Sequence, residues 1–345
     1  VSDAFGATYR YLTDRKRKGL LIATIHAHRA LLFASLVIAT ATLVSCRAPV
    51  LEESGTDSSQ CIDVAALDVR INELLRVGHS DGMTASIWVG GVTGEPWYMR
   101  DASSVRAAAS SIKTAYLVEL FDTYAESLDE SVSELAEIVS DESHPAVAHF
   151  SADDLTEIRR EVEEATVRRL GHMMIRGSDV SNVVYNASAN MVTALLGGPG
   201  ALTARIQRRD AAFSGLTVRR YMLAARDVTG DNEATASSLA AVLRRIASRR
   251  IAGMEPDTIS AIWDILRVPN DDSTDGRVHY FKSGSLNSDP MVRIRSGFWH
   301  FPPDETTVYV VIVEQPEPGS LSRDQAGERL AEVSVSVTDA VLAAR

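Results

Sequence analysis

After residue 62, apolar and polar positions recur with the spacing of helices in some segments and with that of strands in others. Residues 64–77 carry apolar side chains three and four positions apart, which is the spacing of an amphipathic helix. Residues 84–92 alternate as a strand does, and a turn at 93–95 leads to a short return strand over 96–99. This part of the chain therefore predicts a helix followed by a β-hairpin.

The middle of the chain predicts helices. Residues 113–124 are apolar and compatible with a helix. Ser151 precedes Asp154 by three positions, which is a capping-box signal, and apolar residues continue at helical spacing to Leu170. Further helices are predicted over 186–196, where a Gly-Gly-Pro-Gly sequence ends the pattern, and over 235–249.

The end of the chain returns to strands. Residues 277–282, 291–301 and 307–314 are β-rich runs separated by turns, and a final helix carries apolar residues on one face from 326 to 341. We infer an α+β fold. One antiparallel sheet is built from both chain ends and flanked by the terminal helices, the middle forms a helical lobe, and the cleft lies between lobe and sheet.

The beginning of the chain has the pattern of an export signal. Basic residues 15–18 precede an uncharged apolar stretch over 30–44. These fifteen residues fall short of the roughly 20 that a transmembrane helix needs, and they fit the core of a secretion signal. The sequence Leu43-Val44-Ser45-Cys46 resembles a bacterial lipobox, which implies cleavage before Cys46 and attachment of that cysteine to lipid. An uncleaved signal anchor is the alternative.

These features predict a leader over 1–45, a polar tether over 46–62 and one globular domain over 63–345, outside the cytoplasm and lipid-anchored to the cell membrane. The net charge of −11 argues against nucleic acid as a partner, because a phosphate backbone is repelled by such a surface. Two cysteines are too few for a disulfide scaffold, and no Cys/His cluster has metal-ligand spacing. We expect a monomer without a metal or other cofactor.

Two short motifs carry the candidate chemistry. Ser110 stands three positions before Lys113 at the start of a predicted helix, so both side chains share one helical face. The ammonium group lowers the cost of forming an alkoxide, and a desolvated lysine can itself act as a base. Alone, this spacing is common by chance. The second motif is Lys282-Ser283-Gly284, on a predicted strand, where the glycine permits close approach of a substrate.

Together the motifs resemble two of the three found in class A β-lactamases and penicillin-binding proteins. Segments between residues 84 and 314 resemble that family in order and spacing. The resemblance implies the fold described above, with acyl-enzyme chemistry on β-lactams or on D-Ala-D-Ala-like peptidoglycan stem peptides. It implies that Ser110 is the nucleophile, Lys113 the base and Lys282 part of the proton relay, and that the backbone N–H groups of Ser110 and Ser285 form the oxyanion hole.

The third motif of the family, Ser-Asp-Asn, is not intact here. Ser178-Asp179 is followed by valine, so an insertion of about six residues would leave Ser178 as the proton-relaying serine and Asn186 as the substrate-binding asparagine. This is the preferred alignment. An ungapped alignment places Val184, Tyr185 and Asn186 in the motif, with the hydroxyl of Tyr185 replacing that of serine, and Asn182 is a third possibility.

A second departure concerns the residue that activates water. Class A β-lactamases have a glutamate in their Ω loop, and the register of this chain places Met222 near that position, with Asp227 and Glu233 beyond it. Slow hydrolysis of the acyl-enzyme is therefore expected.

Arg293 and Arg295 share one face of their strand and are candidates for binding a substrate carboxylate. The alternative function is a cell-surface binding lipoprotein that retains the fold and has lost the chemistry.

Overall fold

The computed structural model describes residues 62–76, 82–269, 276–301, 305–316 and 319–344. The predicted leader, Cys46 and the tether before Ile62 lie outside the described residues. Among the helices that are described, none has the length and apolar character needed to cross a membrane. The described residues form the predicted α+β fold.

The helices and strands that the sequence predicts occur in the predicted order, with a hairpin near the start and three strands near the end. The helices are α1 (Val64–Arg76), α2 (Lys113–Thr123), α3 (Glu134–Ser140), α4 (Ala152–Val162), α5 (Val167–Ile175), α6 (Asn182–Leu195), α7 (Pro199–Arg209), α8 (Ala236–Ala247), α9 (Pro256–Leu266) and α10 (Arg323–Ala343). The strands are β1 (Thr84–Gly91), β2 (Tyr98–Arg100), β3 (Arg106–Ala107), β4 (Glu233–Ala234), β5 (Val278–Leu286), β6 (Met291–Phe301) and β7 (Glu305–Gln315).

Five strands form one antiparallel sheet in the order β2-β1-β7-β6-β5. The central strand β7 buries both of its faces. Val308, Val310 and Ile312 pack into the core of the helical lobe, and the residues between them pack against α1 and α10. A strand that is covered on both sides needs apolar residues at every position, which explains why β7 is a continuous apolar run.

The helical middle differs from the prediction at three places. The helix predicted to continue to Leu170 is divided, because Thr166 starts α5 by accepting a hydrogen bond from the Arg169 backbone N–H at 3.1 Å. Helix α6 begins at Asn182, four positions before its predicted start, because Ser181 caps it. The helices α3, α7 and α9 were not predicted, and Pro199 opens α7 where only the end of α6 was expected.

The sheet edge meets the helical lobe at β5, which is an edge strand. A Cβ atom on Gly284 would lie 3.0 Å from the Cβ of Ala109 and 3.1 Å from the backbone nitrogen of Ser110. The glycine therefore allows β5 to pack directly against the turn that precedes α2. This contact brings the two sequence motifs together.

The approach of β6 to β5 gives the first prediction. A Cβ on Gly297 would overlap the backbone carbonyl oxygen of Tyr280, which cannot move without breaking the strand pairing. We expect Gly297→Ala to lower the free energy of unfolding by about 1–3 kcal/mol in chemical denaturation. Gly200→Ala is the control, because no atom lies within 4 Å of its Cβ position in α7 and alanine favours a helix. Wild-type stability of Gly297→Ala would contradict this account.

Candidate active site

Ser110 lies in a short 3₁₀ turn, Ala109–Ile112, that leads directly into α2. Ala109 has a φ of 46°, in the left-handed region that alanine adopts only under strain. The Ser111 hydroxyl donates to the Ala108 carbonyl at 2.6 Å, and the Ala108 N–H donates to the Asn232 carbonyl at 2.7 Å. These bonds hold the strained turn, and they leave the Ser110 side chain only partly buried.

Lys113 is completely buried one turn further along, at the start of α2. Its ammonium group donates to Asn186 Oδ1 at 3.1 Å and to the backbone carbonyl of Tyr185 at 3.2 Å. It also lies 3.3 Å from the centroid of the Tyr185 ring, within the range of a cation–π contact. The amide nitrogen of Asn186 donates to Asn182 at 2.9 and 3.0 Å, so Asn186 is fixed in the orientation that holds Lys113.

The Tyr185 hydroxyl is the point where the two sequence motifs meet. Lys282 reaches it from β5 and donates a hydrogen bond of 2.7 Å. The Ser110 hydroxyl also donates to it. The nucleophile predicted from the first motif and the lysine predicted from the second are therefore joined through one phenol oxygen.

Two buried ammonium groups surround this phenol, and among the described residues no carboxylate forms an ion pair with either. Burial lowers the pKa of Lys113 to about 7, and the charge of Lys282 acts in the same direction. Burial alone would raise the pKa of Tyr185. The charges of both lysines, with the hydrogen bonds from Lys282 and Ser110, outweigh that effect and lower the pKa of Tyr185 to about 7.

Gly177 fixes the position of the Tyr185 ring. It has a φ of 57°, which glycine adopts without strain, and it precedes the turn into α6. A Cβ on this residue would lie 2.5 Å from Cδ2 of the tyrosine ring. The ring therefore fits between the Gly177 backbone and the Lys113 ammonium.

The structure does not bring Ser178 to this cluster. Ser178 is exposed in the bend before α6, and its neighbour Asp179 forms an ion pair with Arg169 at the surface. Because α6 already begins at Asn182, the ungapped alignment describes the geometry, and the Tyr185 hydroxyl takes the position predicted for the Ser178 hydroxyl. The preferred alignment, in which an insertion left Ser178 as the proton-relaying serine, is therefore wrong.

The loop before β4 presents Met222 in the region where the sequence register expects the water-activating residue. Its backbone is clamped: the N–H donates to Asn190 Oδ1 at 2.6 Å, and the carbonyl accepts from Asn190 at 3.1 Å and from His149 at 2.9 Å.

The acidic residues of this loop have other partners or face solvent. Asp231 pairs with Arg220 at 2.6 Å, and Glu233 pairs with Arg219 at 2.8 Å. Asp227 is exposed. Within the described loop, the carboxylates of Asp231 and Glu233 are thus engaged with arginines.

The remaining predicted site residues divide between the two faces of the sheet. Lys282 and Gly284 face the lobe and are buried. Ser283 and Ser285 are exposed and pair in register with Arg295 and Arg293. The successive side chains of a strand point to opposite faces, so both arginines lie on the face away from Lys282.

The prediction that Arg293 binds a substrate carboxylate is therefore wrong. Its guanidinium donates to the carbonyls of Leu286, Val292 and Gly327 and to Asn287, at 2.7–3.0 Å, which ties β6 to the turn that precedes it and to α10. Arg295 lies over the Phe281 ring at 5.0 Å on the same face, so the prediction that it binds a substrate carboxylate is wrong as well.

Tyr185 was only an alternative in the sequence analysis, yet the sequence contains a signal for this site. Lys113 and Lys282 are the only lysines after residue 18, and the other basic side chains of that part are arginines and histidines. Arginine cannot lose its proton in proteins, whereas a buried lysine can. After residue 18, lysine thus occurs only at the two buried positions that surround Tyr185. Among the described residues, no group of His, Cys, Asp and Glu side chains is arranged to hold a metal ion.

Several solved structures have a fold similar to that of this chain. A β-lactamase from Chitinophaga pinensis is 14% identical, with a TM-score of 0.58 over 80% of this chain and 99% of that one. A representative class A β-lactamase from Bacteroides cellulosilyticus is 15% identical, with a TM-score of 0.56 over 81% and 98%. The protein PBP-A is 18% identical, with a TM-score of 0.57 over 81% and 96%. At these identities the likeness shows the fold.

Among curated proteins, none is similar enough to this chain to count as a relative. The family comparison is more specific, because residues 66–341 match the Beta-lactamase enzyme family. The match extends over most of the chain and includes the Ser110 turn, α6 and strand β5. The chain therefore belongs to the Beta-lactamase enzyme family.

Proposed function

We propose that the protein is a serine acyl-transfer enzyme that forms an acyl-enzyme on Ser110 with β-lactams or with D-Ala-D-Ala-like peptidoglycan stem peptides. The observation that carries the proposal is the convergence of Ser110 and Lys282 on the Tyr185 hydroxyl, with Lys113 buried against the same ring. Three groups then lie within hydrogen-bond reach of one another: a nucleophile, a group that exchanges a proton near neutral pH, and a fixed positive charge.

Tyr185 is proposed as the proton acceptor, in place of the Lys113 expected from the sequence. With a neutral phenol, the two ammonium groups give the buried site a net charge of two. Ionisation of the phenol lowers this net charge to one. The face of the ring further favours the charged form of Lys113. Lys113 then acts as a positioning charge that keeps Tyr185 ionised, and Asn186 holds it in place.

The reaction follows from this arrangement. The Ser110 oxygen attacks the amide carbonyl carbon while its proton passes to the Tyr185 oxygen. The backbone N–H groups of Ser110 and Ser285 are proposed to bind the developing oxyanion. When the C–N bond breaks, the leaving nitrogen takes the proton back from Tyr185, which Lys282 orients. Asn186, which contacts Lys113, is proposed to border the substrate site. Ser283 and Arg295 lie on the face of the sheet away from Lys282 and are not assigned to it.

Hydrolysis of the acyl-enzyme is proposed to be slow. Attack by water needs a second base, and the clamped segment presents the apolar Met222 in the expected region, while Asp231 and Glu233 are engaged with arginines. General base catalysis contributes about 10²–10⁴ in rate. The acyl-enzyme is therefore expected to outlive its formation, as in a penicillin-binding protein.

We also propose that the protein works outside the cytoplasm, held at the membrane by lipid on Cys46 and acting as a monomer. The support is the uncharged apolar stretch over 30–44 followed by a lipobox-like sequence. Peptidoglycan and β-lactams are both accessible at that location.

Trapping of the acyl-enzyme tests the proposed function. Wild-type protein incubated with a fluorescent penicillin should gain the mass of one intact penicillin, and Ser110→Ala should gain none, because the nucleophile is missing. Ser103→Ala, in the turn before Arg106, is a matched control that should still be labelled. An unlabelled wild type with the penicillin unconsumed would support the binding-protein alternative. Consumption of the penicillin without an adduct would contradict slow deacylation.

The role of Tyr185 predicts a specific pH dependence. The phenolate is the reactive form, so the acylation rate should fall about tenfold per pH unit below its pKa of about 7 and level off above it. Tyr185→Phe should acylate about 10²–10⁴-fold more slowly. The ultraviolet absorption of tyrosinate should appear near pH 7 in the wild type and be missing in the variant.

Tyr124→Phe is the control for this experiment. Tyr124 follows α2 at the end remote from Ser110, and burial raises the pKa of its hydroxyl, so its loss should change neither the rate nor the titration near pH 7. A Tyr185→Phe variant that keeps the wild-type pH midpoint would assign the proton transfer to Lys113.

A further inference from the structure

An arginine-lined groove lies at the end of α2 opposite to Ser110. It has a volume of about 620 Å³, and Arg208, Arg209, Arg245 and Arg250 line it together with the buried Phe213. The arginines come from the last turns of α7 and α8 and from the loop after α8. Helix α2 separates this groove from the Ser110 site by its length of roughly 15 Å.

Two of these arginines are fixed by acidic partners. Arg209 donates to Glu119 at 2.5 and 3.0 Å, to Asp122 at 2.5 Å and to the Ala252 carbonyl at 3.1 Å. Arg245 forms a two-pronged pair with Asp210 at 2.7 and 2.8 Å. Their geometry is determined by the protein itself. The three carboxylates, of which Asp210 also lines the groove, are balanced by these two arginines and by Arg205, which lies 3.7 Å from Glu119.

The other two arginines are not balanced. Among the described residues, no hydrogen bond or ion pair joins the guanidinium group of Arg208 or Arg250 to a partner, whereas most arginines of the described surface form ion pairs. Arg249 has a φ of 54°, and this left-handed turn directs the chain back so that the Arg250 N–H donates to the Arg245 carbonyl at 3.0 Å. Uncompensated positive charge thus collects in one groove of a chain whose net charge is −11.

We propose that this groove binds a phosphate group, with Arg208 and Arg250 as its direct ligands. Each guanidinium is a planar fork that donates two parallel hydrogen bonds to an oxyanion. A phosphate carries a charge of about −1.5 to −2 and at least three acceptor oxygens, so it matches the two unbalanced positive charges, whereas a carboxylate carries only one negative charge. Arg209 and Arg245, already paired, form the fixed walls. The phosphate belongs either to a soluble molecule or to a lipid headgroup.

Helix ends offer a second explanation for part of the cluster. Arg208 lies in the last turn of α7, where a positive charge is favourable beside the free carbonyl groups. Arg250 lies beyond the end of α8. A purely structural role would appear as lower stability of the variants without any ligand, so the test measures stability with and without phosphate.

The test compares the full chain with its Arg208→Gln/Arg250→Gln variant. Inorganic pyrophosphate should raise the melting temperature of the wild type, and the variant should bind it at least about tenfold more weakly, since each charge-assisted contact contributes about that much. Without pyrophosphate the two proteins should melt alike. A sedimentation assay compares phosphatidylglycerol vesicles with phosphatidylcholine vesicles. A lipid headgroup is the source of the phosphate if the wild type binds only the phosphatidylglycerol vesicles and the variant binds neither.

Arg70→Gln/Arg160→Gln is the control, because it removes two exposed arginines and the same charge elsewhere. It should respond to pyrophosphate and to vesicles as the wild type does. Equal responses of all three proteins to both probes would overturn the proposal, as would a loss of stability in the groove variant without a change in binding. Penicillin labelling of Ser110 should be the same in all three, so the outcome is independent of the proposed acyl transfer.

Discussion

Two lysine ammonium groups are buried around one phenol, and this is the constraint on which the site depends. Charge of one sign is costly to bury without a counter-ion, and among the described residues no carboxylate is provided. The phenol oxygen of Tyr185 is the group that can become negative there, and the lysines lower its pKa to about 7. Positive charge, hydroxyl and nucleophile are thus mutually dependent, and a change in any one alters the protonation of the others.

The fold supplies these groups from three separate places in the chain. The strained turn at Ala109 presents Ser110 and leads into the helix that buries Lys113. The edge strand β5 carries Lys282 and approaches this turn closely because residue 284 is glycine. Helix α6 adds Tyr185 and Asn186 from its first turns. The arrangement explains why both chain ends must build one sheet: strand β7 lies between β1 and β6 and pairs with both, and β6 in turn holds β5 at the edge facing the lobe.

The loop before β4 belongs to the same construction. The Asn190 side chain lies five residues after Tyr185 on α6 and binds both backbone groups of Met222. The Asn232 carbonyl supports the turn that carries Ser110. One loop is therefore bound at two points to the elements that build the site. It is held firmly by the family's fold, while the side chain it presents there is apolar. For the acyl transfer that we propose, this combination of a retained scaffold with an apolar side chain is expected to favour acyl-enzyme formation over turnover.

The sequence by itself determined the fold class and the succession of an initial hairpin, a helical middle and three final strands, because these follow from local periodicity. Its motifs, through their resemblance to a family, also singled out Ser110, Lys113 and Lys282, which the structure brings together. The sequence did not determine which hydroxyl completes the cluster. That choice depended on a single helix start, because a cap at Ser181 begins α6 early enough to put Tyr185 beside Lys282 and to leave Ser178 exposed. The placement of Arg293 was likewise decided by the sheet, since the face of a strand that meets the cleft is fixed only when its neighbours are in place. The arginine groove combines α7, which the sequence analysis did not predict, with the end of α8, so only the tertiary structure reveals it.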